Sequence, residues 1–213
     1  MDINYKSNKF TSEFSPVSFT CPHCGHKGIF HQIVNVLHNV NGDCRFGTVV
    51  CPSQECKSIS FIIIGAKNRV LQVYPSVLID FDKSNIPTRI IEVFEEALKA
   101  HSVGCFVASA IMIRKTLEVI AEDKKSTGKN LKERIEDLGS KIMIPKELIS
   151  AMDELRLFGN DAAHVEAKVF ENIGKEEVEI SIEFAKEILK AVYQYEDLLS
   201  KLRSLKKKSI ENK

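Results

Sequence analysis

The sequence has no apolar run long enough to cross a bilayer. Its longest mainly apolar stretch, residues 103–113, has 11 residues and stops at Arg114, whereas a spanning helix needs about 20. No membrane contact is therefore expected. The first residues, Met1-Asp2-Ile3-Asn4-Tyr5-Lys6, are polar and lack the apolar centre of a secretory signal. A cytoplasmic, reducing location follows as an expectation, and it disfavours disulfides among the six cysteines. Net charge is missing too. The 30 Lys and Arg balance 29 Asp and Glu to leave +1, so any basic surface for nucleic acid must be local. There is no internal repeat, no phosphate-cradling glycine loop and no nucleophile elbow, which sets aside the architectures and enzymes those patterns mark.

What remains is an ordinary globular composition, 44% hydrophobic and 28% charged over 213 residues, enough for one or two domains with a real core. The fold class expected is α+β: a small antiparallel zinc-ribbon domain over residues 1–78, then an all-α bundle over 79–213. The first part carries Cys21-Pro22-His23-Cys24-Gly25-His26 and Cys51-Pro52-Ser53-Gln54-Glu55-Cys56. Two close cysteine pairs 26 residues apart have the spacing of a zinc ribbon. In such a ribbon each pair sits on a turn at a hairpin tip, and four thiolates close a tetrahedral shell. Cys21, Cys24, Cys51 and Cys56 are accordingly expected to hold a structural Zn2+, with no open position for a catalytic water. Cys-Pro-His-Cys alone also resembles a thioredoxin-type redox motif, but that needs a long helix directly after it. Here a glycine and a strand-like run follow. Cys44 is expected to pack, and His23, His26, His31 and His38 to be surface or strand residues beside a complete site.

Alternating apolar residues predict strands over 29–37, 45–50, 58–64 and 70–74, with turns at Asn41-Gly42-Asp43 and around Lys67-Asn68. Residues 1–15 are expected to be irregular. The seven Lys and Arg of residues 1–80 are scattered and leave the partner of the ribbon open.

In the second part, Ser84 or Asn85 can cap a helix with Pro87 in its first turn and an apolar stripe of Ile90, Ile91, Phe94 and Leu98. Gly104 separates it from a helix running to about Asp123. That second helix is apolar nearly all round from Cys105 to Ile113, as the buried centre of a bundle would be. Arg114 and Glu118, four apart on one face, then need partners. A short helix over 130–139 and a helix opened by Pro145 and running to His164 come next. A poorly periodic stretch over 165–174 precedes one long helix over 175–207. Its basic end, Lys201, Arg203, Lys206, Lys207 and Lys208, suits the negative pole of the helix dipole; a weak nucleic-acid contact is the lesser alternative.

Arg156, Asn160 and His164 are spaced four apart, twice over. Each step returns to the same helix face with a drift of about 40°. A guanidinium, an amide and an imidazole therefore share one polar stripe. Two readings stay open. In a metal-independent endoribonuclease, His164 would move a proton at a ribose 2′-hydroxyl, since an imidazole titrates near neutrality. Arg156 would hold the phosphate and stabilise the charge built on it. Asn160 would orient either group, with Arg114 and Glu118 behind them. In a non-catalytic interaction module the same stripe is a satisfied network pinning helices or a dimer seam.

Ile86-Pro87, Glu95-Glu96-Ala97, Arg114-Lys115-Thr116-Leu117-Glu118, Leu155-Arg156, Gly159-Asn160 and Ala162-Ala163-His164 together resemble an uncharacterised bacterial helical domain family. Its members occur alone, behind small zinc ribbons, or fused to restriction and phage-defence proteins. That family is in turn similar to the HEPN superfamily, and the resemblance covers about residues 80–200. It implies a helical bundle, a homodimer with two motifs facing across a cleft, and RNA or another defence-system protein as partner. HEPN ribonucleases carry an arginine and a histidine on one helix, which Arg156 and His164 would match with Asn160 as the polar member. The spacing departs from the pattern: seven residues intervene, and Leu157 stands where a polar neighbour is usual.

Overall fold

A computed structural model describes residues 9–11, 16–32, 37–39, 44–142, 144–163 and 173–211. The chain divides into two compact units, Met1–Leu78 and Ile79–Lys213. The first is an antiparallel sheet and the second is six helices, so the α+β expectation holds. The turn expected at Asn41-Gly42-Asp43 and the expected stripe member His164 lie outside the described residues.

The sheet unit runs β1 (Lys9–Thr11), β2 (Val17–Thr20), β3 (Lys27–Gln32), β4 (Leu37–Asn39), β5 (Arg45–Val50), β6 (Ile59–Ile64) and β7 (Val70–Tyr74). β5 is its organising strand. β6 pairs along one edge of it, from Arg45↔Ile64 to Val50↔Ile59. The other edge is shared: β4 pairs near the start (His38↔Phe46) and β3 near the end (His31↔Val50). β1 extends the sheet beyond β4 through Phe10↔His38. Two of these strands, β1 and β2, fall outside the runs predicted from alternation. Each is only three or four residues long, too short for a period of two to register. Inward residues Val17, Phe30, Val49, Ile62 and Ile64 form the apolar cluster together with Cys21 and Cys51, and Phe19 stacks on Phe30 at 3.8 Å.

The helical unit comprises α1 (Thr88–Ser102), α2 (Phe106–Asp123), α3 (Leu131–Lys141), α4 (Lys146–Ala163), α5 (Lys175–Tyr193) and α6 (Tyr195–Glu211). Neither Ser84 nor Asn85 caps α1. Pro87 takes the N-cap position, its carbonyl accepting from the N–H groups of Ile90 and Ile91. Asn85 instead has φ 61° and donates to Asp197 Oδ2. α3 does have a side-chain cap: Asn130 accepts from the Glu133 N–H at 3.0 Å, while Glu133 accepts from the Lys129 N–H.

α2 packs against α1, α3, α4 and α5 and contributes Ile113, Leu117 and Ile120 to the core, beside Phe94, Leu98, Ile135, Met152, Ile182 and Leu189. The expectation that burial begins at Cys105 fails. Val103, Cys105 and Ala108 are exposed, and full burial starts at Ser109, whose hydroxyl donates to the Ala97 carbonyl of α1 at 2.8 Å. The bundle is therefore centred on the second half of α2.

The single long helix expected over 175–207 is broken. α5 ends at Tyr193 and α6 starts at Tyr195. Between them Gln194 is buried, and its side-chain amide donates to the carbonyls of Asp82 and Ser84. Those carbonyls precede α1 and lack helical partners, so the bend in the last helix satisfies groups more than a hundred residues away.

Candidate functional site

The sheet unit carries two turns of the same build. In the first, the Cys21 N–H donates to the His26 carbonyl and the Gly25 N–H to the Cys21 carbonyl. In the second, the Cys51 N–H donates to the Ser58 carbonyl and the Lys57 N–H to the Ser53 carbonyl. The residue after the second cysteine of each pair is left-handed, Gly25 at φ 71° and Lys57 at φ 47°. Glycine takes that conformation without cost, whereas a lysine is held there by the surrounding bonds. β2 with β3 and β5 with β6 form the stems beneath the two turns.

These stems bring Cys21, Cys24, Cys51 and Cys56 together with all four sulfurs within 4.8 Å of one another. Cys21 Sγ and Cys56 Sγ are 4.0 Å apart, and Cys24 Sγ and Cys51 Sγ 3.7 Å apart. A tetrahedral ion with metal–sulfur bonds of about 2.3 Å requires sulfur–sulfur edges of about 3.8 Å, so the cage fits. The separations are far beyond a disulfide bond of about 2.0 Å, and all four cysteines are free. Cys21 and Cys51 sit in the core, Cys24 is exposed and Cys56 half-buried. His23, His26 and His31 are exposed and outside the cluster, as is half-buried Cys44.

Ser58 was not singled out from the sequence, yet its hydroxyl lies 3.1 Å from Cys56 Sγ and 3.5 Å from Cys21 Sγ. Donating there, it lowers the Cys56 pKa, helped by its own N–H. At Cys21 burial opposes ionisation, but Ser58 and the neighbouring N–H groups outweigh it and bring the thiol down to about 6. Cys51 is pushed up to about 12 by burial, and its thiol neighbours add to that rise. Four sulfurs this close do not all ionise by themselves; a cation held at their centre would reconcile them.

On the helical unit, Arg156 and Asn160 lie on α4, and His164 falls outside the described residues. Arg156 is engaged on both its backbone and its side chain. Its Nε donates to Asp153 Oδ1 at 2.7 Å, one turn back on the same helix. Its carbonyl accepts from Arg114 Nη1 at 2.9 Å, bridging α2 to α4. Arg114 also pairs with Glu118 at 3.5 Å, and Lys115 with Glu118 at 3.0 Å. The expected meeting of Arg114 with the α4 stripe thus occurs, but on a carbonyl rather than on another side chain. Gly159 explains why the helices come so close. A Cβ there would lie 2.4 Å from Arg114 Cβ and 3.0 Å from the Ala110 carbonyl oxygen. The signal for Asp153 was available as an i, i+3 spacing; the signal for Gly159 was not, because its constraint comes from another helix.

Among the described residues no helix is long and apolar enough to cross a membrane. Residues 95–208, more than half of the chain, match the family model described as Domain of unknown function (DUF4145). The chain belongs to that family. No curated protein and no solved structure matches it.

Proposed function

We propose that this member of a family with no described activity is a zinc-braced, HEPN-like binding module, an accessory component of a bacterial defence or restriction system in the cytoplasm. Four thiolates select a soft ion with tetrahedral preference, which makes Zn2+ the metal and Cys21, Cys24, Cys51 and Cys56 its closed shell. The ion would tie the two turns together and leave no coordination position for chemistry. The observation that carries the binding reading is the use already made of the α4 stripe. Arg114 donates to the Arg156 carbonyl and so ties α2 to α4, while Arg156 Nε is held by Asp153 of its own helix. The HEPN-like resemblance of residues 80–200 makes RNA, or another defence-system protein, the partner class to test first, with a homodimer as the assembly.

One observation favours a metal-independent endoribonuclease as the second reading. The two Nη atoms of Arg156 and the half-buried side chain of Asn160 have no hydrogen-bond partner among the described residues. That leaves a guanidinium edge and an amide for a phosphate, with His164 as the acid–base group. Mixed cellular RNA incubated with the protein in EDTA, beside a His164→Ala variant, separates the two. The binding reading expects retarded RNA or a captured protein and no cleavage. Cleavage that persists in EDTA and disappears in His164→Ala would establish the nuclease instead.

A further inference from the structure

The helical unit presents two surfaces that are complementary to one another and do not meet within one chain. The first is α6. It packs chiefly on α5 near the Gln194 bend and leaves Leu198, Leu199 and Leu202 exposed at 54%, 44% and 56%. Its charged residues are mainly cations: Lys201, Arg203, Lys206, Lys207 and Lys208 against Glu196, Asp197 and Glu211. Lys201 pairs with Asp197, whereas Arg203 has no ion-pair partner among the described residues.

The second surface is a groove of about 600 Å3 on α5, floored by Ile79, Leu148, Ile180 and Phe184. Ile180 and Phe184 are exposed at 53% and 45%. Glu179, Glu183 and Glu187 run beside them, one turn apart, and among the described residues no cation lines the groove. These glutamates hold Lys175, Lys186 and Lys190 of their own helix, but such exposed pairs are weak and exchange readily. Among the described residues, none of α6 lines this groove. α6 contributes instead to a separate hollow with Lys124, Pro145 and Val192.

We propose that α6 of one copy of this chain docks in the α5 groove of a second copy, Leu198 and Leu202 covering Ile180 and Phe184 while Lys201 and Arg203 meet the acidic row of Glu179, Glu183 and Glu187. Two α6 helices side by side would instead set like charge against like. A leucine-bearing cationic helix and an apolar acidic groove on one chain form a heterologous contact. Reciprocal exchange between two copies closes it without exposing a further arm or groove. The inference rests on the homodimer proposed above and gives it an interface, so a dimer that keeps its mass in both variants defeats the interface alone, whereas a monomer defeats both.

The test is solution mass by sedimentation velocity on the full metal-loaded chain, with Phe184→Glu and Leu202→Glu as variants. Both positions are exposed, and far-UV circular dichroism checks that each variant stays folded. The wild type is expected to dimerise in the micromolar range, each variant to associate roughly tenfold or more weakly, and raised salt to weaken the wild-type dimer. An equimolar mixture of the two variants should recover a dimer, because one intact arm then meets one intact groove. A wild type still monomeric at about 100 μM overturns the proposal. So does a dimer that Leu202→Glu breaks and Phe184→Glu leaves intact, or a mixture that recovers nothing. Binding to anionic phosphatidylserine vesicles that Leu202→Glu abolishes and Phe184→Glu does not would assign the leucines to a lipid surface, and that also overturns it.

Discussion

Two of the seven residues in the apolar cluster of the sheet unit are cysteines of the sulfur cage, Cys21 and Cys51. Among the described residues, the cluster of the helical unit has 21 members and no cysteine. In the sheet unit the core and the sulfur cage therefore share residues, whereas the helices rest mainly on a larger apolar core, with polar ties such as Arg114 to the Arg156 carbonyl. The difference follows from size. A short sheet buries too little apolar surface to offset the entropy of ordering its chain, and a metal held by the four sulfurs would supply the remainder. Helices of 11 to 19 residues with a shared apolar face need no such staple.

The sharpest way to break this comparison is to remove the metal. Structural zinc contributes on the order of 10 kcal/mol to small domains that depend on it. Stripping the ion with a strong chelator, or replacing Cys51 with Ser, should abolish the β-sheet amide dispersion in a heteronuclear NMR spectrum. The helical signal at 222 nm should persist. Loss of both signals together would show that the units do not stand separately.

A smaller effect is expected at the contact between α2 and α4. Gly159→Ala gains about 1 kcal/mol of helix propensity, but its Cβ meets Arg114 Cβ and the Ala110 carbonyl. Overpacking of this kind costs about 1–3 kcal/mol. A net loss in urea unfolding, with metal content unchanged, is the expected result; a net gain would mean that the helices can part without penalty.

The smallest effect concerns a surface pair of the helical unit. Lys83 lies 2.6 Å from Glu95 and holds its carboxyl below the usual range. Because the folded value is the lower one, the pair stabilises above the unfolded pKa of about 4.3. That contribution is lost as pH falls through the folded value. With Lys83 half exposed, it should amount to less than about 1 kcal/mol. Glu95→Gln should thus be slightly less stable than wild type at pH 7 and equal to it at low pH. A difference that grows on acidification would contradict the sign.

Much of the sheet unit was legible because its determinants are local. Each cysteine pair lies within six residues, and β5, β6 and β7 fall in the apolar runs visible in the sequence, β5 with a clear alternation of burial. In the helical unit the apolar periods located the helices, but not where they stop. Gly139 reads as a helix end, yet α3 continues to Lys141. The reason lies on α4, where Ile149 Cδ1 would be 3.0 Å from a Cβ at that position. Of the stripe, the sequence supplied Arg156 and Asn160 on one helix, and the structure added that Arg156 is already engaged.

By itself the amino-acid order determined which cysteines can share an ion and where the helices and the longer strands run, since those depend on neighbours a few positions away. Tertiary structure alone decided that Ser58 would serve two sulfurs, that Gln194 would bend the last helix, and that Arg114 would end on a carbonyl of α4. Each of these depends on a polar group being desolvated next to a partner far along the chain, and no local pattern encodes who that partner will be.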